Sequence, residues 1–254
     1  MSSSTCFVTP SQAPGKWWRP CEEGCSIFCT VERSWVHGHT VEAPFTEEQP
    51  RHPFGRYGIQ KAAIEEYLLG EARQNGFPVT ILHPGHIVGP GWVVLPNPAG
   101  HFNPIVFQRL ARGEEVVLPN LGLETVHHVH GDDVAQAFMK AIAYRSVSIG
   151  ESFHVASPAA LTLRGYAEAM ARWFGQEPRL RFLPWVEWKE TVTEAEAAET
   201  WDHIAHSPCA SIAKAQRFLD YRPRYTSLLA VQEAVQWLID NAGLLSDVPQ
   251  VRRL

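Results

Sequence analysis

Tyr57 and Lys61 are the two residues whose types and spacing first suggest chemistry. They lie four residues apart in RYGIQKAAIEEYLLGEA, an alanine-rich amphipathic run. Four residues is just over one helical turn, so both side chains are predicted on one face of one helix. A phenol is a poor base at neutral pH, but an ammonium group one turn away favours its ionised form. The pair is therefore a candidate proton-transfer site. The alternative is two solvated residues of an ordinary helix, because Tyr-x-x-x-Lys also occurs by chance.

Three of the five cysteines, Cys21, Cys25 and Cys29, lie close together. Their regular spacing matches no common zinc pattern, in which one pair of ligands is followed by a second pair downstream. An odd total favours free thiols over a disulfide framework. We predict incidental thiols and no metal site in this segment.

His127, His128 and His130, with Asp132, form a second cluster of candidate metal ligands. If the histidines lie on a strand, His128 and His130 point to one face and His127 to the other. At most part of the set then converges on one point. We predict no metal site here either.

The elements that must position these residues alternate between helices and strands. The Tyr57 helix is predicted to end at Asn75 and Gly76, and PVTILHPG predicts a short buried strand that ends at Pro84 and Gly85. Further along, ETVHHVHGDDVAQAFMKAIAY and ESFHVAS predict strands, the first leading into a helix, and SLLAVQEAVQWLIDNAG predicts an amphipathic helix. This alternation predicts an α/β fold. Residues 1–33 show neither period and are left unassigned.

Four blocks of the sequence, in order, carry a family resemblance: SWVHG, EEQPRHPFGRYGIQKAAIEEYL, ILHPGHIVGPG and VHHVHGDDVAQAF. Together they resemble the extended branch of the short-chain dehydrogenase/reductase superfamily, the NAD-dependent epimerase/dehydratase family. The likeness covers about residues 34–156, with a looser echo in SIAKAQRFLDYRP. It implies part of a Rossmann-type parallel sheet, the C-terminal half, with a small α/β substrate-binding lobe. Residues 34–156 are then the remnant of an NAD(P)-binding domain, to whose substrate lobe 91–125 contribute, and 157–254 form that lobe.

The resemblance also implies roles for individual residues. Tyr57 matches the family's general acid/base, which exchanges a proton with the substrate while hydride moves to or from the nicotinamide. Lys61 matches the lysine that assists this tyrosine and binds the nicotinamide ribose. Pro84, Gly85 and His86 match the loop that lies against the nicotinamide end of the cofactor. NAD or NADP is thus the implied cofactor.

Other matches are weaker. Ser34 is the nearest candidate for the family's catalytic Ser/Thr, although it stands one position from the expected place. Asp132 and Asp133 match an Asp-Asp pair, for which helix capping is the expected role. His37 stands where the family has tyrosine, and we interpret it as a substitution rather than a metal ligand.

The sequence departs from the family in its first part. No three glycines have the G-x-x-G-x-x-G spacing that lets a backbone approach the cofactor pyrophosphate. Only 35 residues precede Val36, too few for the βα units that the family places there. We therefore expect the N-terminal half of the Rossmann fold to be absent. A sheet without those strands has an unpaired edge, which predicts poor solubility or pairing with another chain, as in a homo-oligomer.

The substrate is left open. Family members that act on nucleotide sugars have an arginine before the VHVDD block, and the matching position here is near Val126, flanked by Glu124 and Thr125. Aromatic residues of the second part suggest an apolar or ring-containing ligand, or simply a core. They are Trp92, Trp185, Trp188 and Trp201.

The composition and charge of the chain narrow the classes of partner that it is expected to bind. The chain is 45% hydrophobic and 19% charged, with a net charge of −5, as in ordinary globular proteins and unlike binders of nucleic acid or anionic membranes. No apolar run approaches the ~20 residues of a membrane span, and the first residues lack the order of a signal peptide. We expect a cytoplasmic protein whose partner is a small molecule, with no nucleic acid and no membrane.

Three hypotheses follow. The first is an NAD(P)-dependent epimerase/dehydratase-type oxidoreductase that acts on a hydroxyl/carbonyl carbon through Tyr57 and Lys61. The second is a catalytically inactive remnant without a dinucleotide-phosphate site, which acts by binding or within an assembly. The third is that residues 1–33 come from a misplaced start or a frame disruption in a longer gene.

Overall fold

The computed structural model describes residues 4–8, 25–31, 36–92 and 95–246. The chain divides into two compact units whose segments alternate along the sequence. The first unit comprises Met1–Gly85, Asp132–Ala156 and Ala210–Arg224. The second unit comprises His86–Gly131, Ser157–Cys209 and Tyr225–Leu254.

Strands and helices follow one another through both units. The strands are β1 (Ser4–Val8), β2 (Cys25–Val31), β3 (Val79–Pro84), β4 (His86–Val88), β5 (Val116–Pro119), β6 (Thr125–Val126), β7 (His128–His130), β8 (Ser152–Val155), β9 (Leu161–Thr162) and β10 (Leu180–Leu183). The helices are α1 (Gly55–Asn75), α2 (Ile105–Arg112), α3 (Gly131–Ala143), α4 (Arg145–Ser148), α5 (Leu163–Trp173), α6 (Trp185–Trp188), α7 (Glu194–Ile204), α8 (Ala213–Leu219) and α9 (Ser227–Ala242), with a 3-10 turn at Lys189–Thr191.

The first unit is built on a parallel sheet with the strand order β1-β2-β3-β8. All six residues of β3 are buried, as expected for a strand that helices cover on both faces of a parallel sheet. The predicted α/β class and the Rossmann-type parallel sheet are confirmed.

Residues 1–33, whose sequence predicts no element, contain the two strands β1 and β2. Because β2 pairs with β3 and β1 with β2, β3 is not an edge strand. Among the described strands the sheet ends at β1, so the predicted unpaired edge lies at β1 rather than at β3, and the poor solubility or pairing expected from it stays a prediction. The strand CSIFCTV was missed because an interior parallel strand shows a continuous run rather than alternation, and cysteine and serine obscured that run.

Helix α1 positions the candidate residues of the first unit. It is rich in alanine, leucine and glutamate, which favour helix, and it ends where Gly76 takes a left-handed conformation with φ of 68°. Its buried face packs Leu68 and Leu69 against Val79 and Ile81 of β3. The predicted helix and its end at Asn75 agree with the structure.

The second unit has its own core, in which α2, α5 and α9 contribute most of the buried apolar side chains. Three two-stranded pairs, β4-β7, β5-β10 and β6-β9, complete it. The predicted lobe at 157–254 is divided differently in the structure, because residues 210–224 belong to the first unit. There α8 packs on β8, and the Ser211 N–H donates to the Phe45 carbonyl at 2.8 Å.

No helix in the part of the chain that the structure describes is both long and apolar enough to cross a bilayer.

Candidate functional site

Tyr57 and Lys61 stand one turn apart near the start of α1, as their spacing predicts. The Lys61 Nζ lies 5.6 Å from the centroid of the Tyr57 ring. Lys61 is 8% exposed, whereas Tyr57 is 43% exposed. The phenol is thus open to solvent or to a ligand, while a largely buried ammonium group lies beside its ring.

One further turn along the same helix, Glu65 is fully buried. Both of its carboxylate oxygens have partners. Arg51 Nη2 donates to Oε1 at 2.6 Å, and His83 Nε2 lies 2.9 Å from Oε2. Burial by itself raises the pKa of Glu65, but His83 and Arg51 reverse this effect and lower it to about 2. Glu65 is therefore a carboxylate at neutral pH, and since a carboxylate only accepts, His83 Nε2 carries the hydrogen.

Pro84 and Gly85 lie at the carboxyl end of β3. The Gly85 N–H donates to the Val155 carbonyl at 3.0 Å, at the end of the neighbouring strand β8. In open parallel α/β sheets, ligands bind at the carboxyl ends of the strands. Pro84 and Gly85 therefore occupy the edge of the sheet where a cofactor is expected.

His86 begins the second unit. Its N–H donates to the His127 carbonyl at 2.7 Å, where β4 meets β7. Its ring packs edge-on against His203, with 4.6 Å between ring centroids. The cofactor-binding role that the resemblance gave to His86 stays a prediction.

Ser34, the predicted catalytic serine, lies outside the described residues, as does Cys21 of the cysteine group. Asp132 and Asp133 lie in the first turn of α3. Both accept hydrogen bonds from Arg224, Asp133 from its main-chain N–H at 2.9 Å and Asp132 from its guanidinium at 3.0 Å. The two aspartates thus tie the start of α3 to a later segment of the first unit.

The histidines of the VHHVHGDD block take separate structural roles in the second unit. His127 Nε2 lies 2.8 Å from the Ser157 carbonyl oxygen, and His128 packs edge-on against the Tyr166 ring. His130 stacks on Tyr225, with 3.8 Å between ring centroids.

The tryptophans of the second unit divide between core and surface. Trp188 is buried, and its Nε1 donates to the Val117 carbonyl at 3.0 Å. The Trp185 ring stacks on the Trp188 ring with 5.4 Å between their centroids, and it packs against the half-exposed Trp201 ring with 5.3 Å between centroids. Trp188 is therefore a core residue, while Trp185 and Trp201 form an aromatic surface.

Glu65 and Arg51 are functional candidates that the predictions from sequence did not include. Glu65 follows Lys61 by one turn and therefore shares its helix face, a signal that could have been used. Arg51 precedes the helix in a loop, and no local pattern pairs it with Glu65. His37, His83 and His154 were likewise not connected, although the structure brings them together.

Comparisons with known proteins agree with this architecture. Residues 34–156 match the sequence model of the NAD dependent epimerase/dehydratase family. A curated relative, the uncharacterized protein y4nG of Sinorhizobium fredii (strain NBRC 101917 / NGR234), is 25% identical over 232 residues, which cover 87% of this chain and 55% of the relative. The chain thus spans about half the length of that relative.

Two solved structures have similar folds. UDP-glucuronic acid 4-epimerase from Bacillus cereus, in complex with NAD, has a TM-score of 0.66 and 15% identity, with 86% of this chain and 63% of that chain covered. A double mutant of DesIV, a dTDP-glucose 4,6-dehydratase from Streptomyces venezuelae with NAD bound, has a TM-score of 0.64 and 20% identity, with 89% and 64% covered. At these identities the likeness establishes the fold alone.

Proposed function

We propose that the chain serves NAD(P)-dependent oxidoreduction at a hydroxyl/carbonyl carbon of a small molecule, because residues 34–156 match the sequence model of the NAD dependent epimerase/dehydratase family. Tyr57 and Lys61 are its acid/base pair. The epimerase and dehydratase of similar fold were both crystallised with NAD, which supports a nicotinamide cofactor here.

One observation carries the proposal: an exposed phenol and a largely buried ammonium group lie one turn apart within the family segment, 5.6 Å from ring centroid to Nζ. A surface pair of ordinary helix residues would expose both side chains.

The chemistry of these side chains is proton transfer. When substrate is oxidised, the Tyr57 phenolate oxygen accepts the proton of the substrate hydroxyl, and in the reverse direction it returns that proton to the carbonyl oxygen. The Lys61 ammonium group favours the phenolate electrostatically. Ser34, which follows β2 in the chain, is the proposed partner that holds the substrate oxygen.

A bound nicotinamide would supply the hydride acceptor or donor. Lys61 and Tyr57 fit its ribose end, since a cation and a hydroxyl group suit ribose hydroxyls, and Pro84 and Gly85 suit a backbone surface at the strand ends. His86 is retained as a further proposed cofactor residue. The pyrophosphate end fits less well, because the sequence has no G-x-x-G-x-x-G turn.

That missing turn favours the second candidate function, an inactive relative of the family that acts by binding or within an assembly. The two candidates differ in one measurable property, which is cofactor affinity. The proposal also includes a small-molecule substrate, a cytoplasmic location and a homo-oligomeric state.

The test is a titration of the purified chain with NADH and with NADPH, followed by nicotinamide fluorescence. Lys61→Ala is expected to weaken binding about 10-fold or more, because a charge-assisted hydrogen bond contributes roughly 1.5–3 kcal/mol. Arg73→Ala is the matched control, since Arg73 is an exposed cation on the same helix. The affinity of the Arg73→Ala variant for the cofactor should equal that of the unmodified chain.

Turnover is measured with UDP-sugars and dTDP-sugars, the ligand classes named for the similar structures. Tyr57→Phe is expected to lower kcat about 10²- to 10⁴-fold, the usual contribution of acid/base catalysis. Tyr67→Phe is the control, because Tyr67 is also half-exposed on α1, at 51%. If the folded protein binds no cofactor, the enzyme hypothesis is rejected and the inactive relative is the candidate function that remains.

A further inference from the structure

A second group of side chains, distinct from the Tyr57–Lys61 pair, lies in the first unit. His37, His83 and His154, here called the histidine triad, are all buried. One ring nitrogen from each lies within 4.8 Å of those of the other two. Among the described residues this is the only group of three or more His, Cys, Asp or Glu side chains with such convergence. The sequence predicts no metal site, and His37 was interpreted from it as a substitution.

The sheet explains why the triad converges. His83 and His154 are register partners on the adjacent parallel strands β3 and β8, and side chains paired in this way share one face of a sheet. His37 lies beside Gly38, which bridges to His52, and the His52 N–H donates to the His37 carbonyl at 2.8 Å. Two strands and one loop therefore hold the three rings.

Hydrogen bonds fix the tautomer of His83. Its Nε2–H donates to the Glu65 carboxylate at 2.9 Å, so Nδ1 is the ring nitrogen left to face a ligand. That Nδ1 is buried and has no hydrogen-bond partner. A buried polar atom without a partner costs free energy, so an occupant is expected for it.

The other two rings can be assigned in the same way. His154 Nδ1 donates to the Ser211 carbonyl at 3.0 Å, which leaves a lone pair on Nε2. His37 Nε2 lies 2.8 Å from that atom and donates to it, so His37 Nδ1 carries a lone pair and is itself buried without a partner.

We propose that the histidine triad binds a divalent transition-metal ion, and that zinc is the ion it suits best. Neutral imidazole is a preferred zinc ligand, and three histidines with one water molecule make a known tetrahedral set. Bonds of about 2.05 Å at tetrahedral angles separate ligand nitrogens by about 3.3 Å. To reach this spacing the rings must move and the hydrogen bond between His37 Nε2 and His154 Nε2 must break, because the ion takes its place.

Glu65 supports the same assignment. A histidine that binds a metal generally donates its second ring N–H to a carboxylate or a carbonyl group. His83 donates to Glu65 and His154 to the Ser211 carbonyl. Two of the three ligands therefore already have the outer partners that orient a metal-binding imidazole.

The test measures zinc bound by the full chain after incubation with zinc and desalting, together with affinity by competition with a chelating dye. The unmodified chain should retain one zinc ion. His37→Gln, His83→Gln and His154→Gln should each weaken binding by about 100-fold or more, and Glu65→Gln by about 10- to 100-fold. His128→Gln is the matched control, because His128 is buried with both ring nitrogens unpartnered yet lies outside the triad.

X-ray absorption of the zinc-loaded unmodified chain decides the case even where a variant does not fold. Three imidazole nitrogens around zinc would support the proposal. Sulfur ligands would assign the ion to cysteines instead and overturn it. Folded protein that retains no zinc, or triad variants that bind it as tightly as the His128→Gln control, would also overturn it and leave three histidines packed against one another.

Discussion

The substitution Glu65→Gln tests how far the buried charge of Glu65 stabilises the first unit. Glutamine keeps the size of the side chain and one carbonyl oxygen, but it removes the charge that Arg51 and His83 meet. The amide also brings an NH₂ group toward one of these two donors. We expect a clear loss in the free energy of unfolding at neutral pH.

The magnitude follows from the proton affinity of Glu65. Its pKa is lowered from 4.5 to about 2, since His83 and Arg51 outweigh the effect of burial. A tenfold change in proton affinity corresponds to about 1.4 kcal/mol, so the charged form contributes roughly 3 kcal/mol at pH 7. This agrees with the 3–5 kcal/mol typical of removing one partner from a buried ion pair.

The pH dependence has a definite sign. Because the folded pKa lies below the unfolded value, the unfolded chain binds more protons between the two, and stability rises with pH in that window. The contribution of Glu65 is fully present above about pH 5 and is lost as the pH falls toward 2. Glutamine does not titrate, so the difference between the two proteins should shrink from roughly 3 kcal/mol at pH 7 to about 1 kcal/mol at pH 2.5.

Urea unfolding of both proteins from pH 7 to pH 2.5, in the presence of a chelator, measures this difference. The other carboxylates titrate alike in both proteins, so their contributions to the free energy of unfolding cancel in the difference. Glu66→Gln is the control, because Glu66 is the adjacent residue of α1 and is exposed. A stability difference that stays constant across the pH range, or an equal loss in the control, would refute the reasoning.

Two further substitutions, each paired with a control, test a close backbone contact and a buried hydrogen bond. Gly38→Ala would place a Cβ 1.8 Å from the His52 carbonyl oxygen at a φ of 62°, so we expect a loss of more than about 3 kcal/mol in urea unfolding. Gly76→Ala has a similar φ of 68° but open space around the new Cβ, so it should lose only about 1 kcal/mol, and equal losses would argue against the clash. Tyr166→Phe removes a buried hydroxyl that donates to a main-chain carbonyl at 3.0 Å. It should lower stability by about 1–2 kcal/mol, whereas exposed Tyr67→Phe should have no measurable effect.

The local elements were predictable because their signals are short in range. The composition of α1 and the glycine after it predicted the helix and its end, and the four-residue spacing predicted that Tyr57 and Lys61 would meet. The apolar run before Pro84 predicted β3. The strands β1 and β2 were missed because their pairing depends on partners far along the chain, and CSIFCTV shows no alternation.

The sequence by itself determined the α/β class, the resemblance of residues 34–156 to the epimerase/dehydratase family and the helix that carries the Tyr57–Lys61 pair. Only the tertiary structure decided that Glu65 is buried between Arg51 and His83, and that His37, His83 and His154 meet. The physical reason is that a helical turn fixes the distance between residues four apart, whatever surrounds them. The distance between His37 and His154 is fixed only when β3 and β8 pair and the loop containing Gly38 packs against His52.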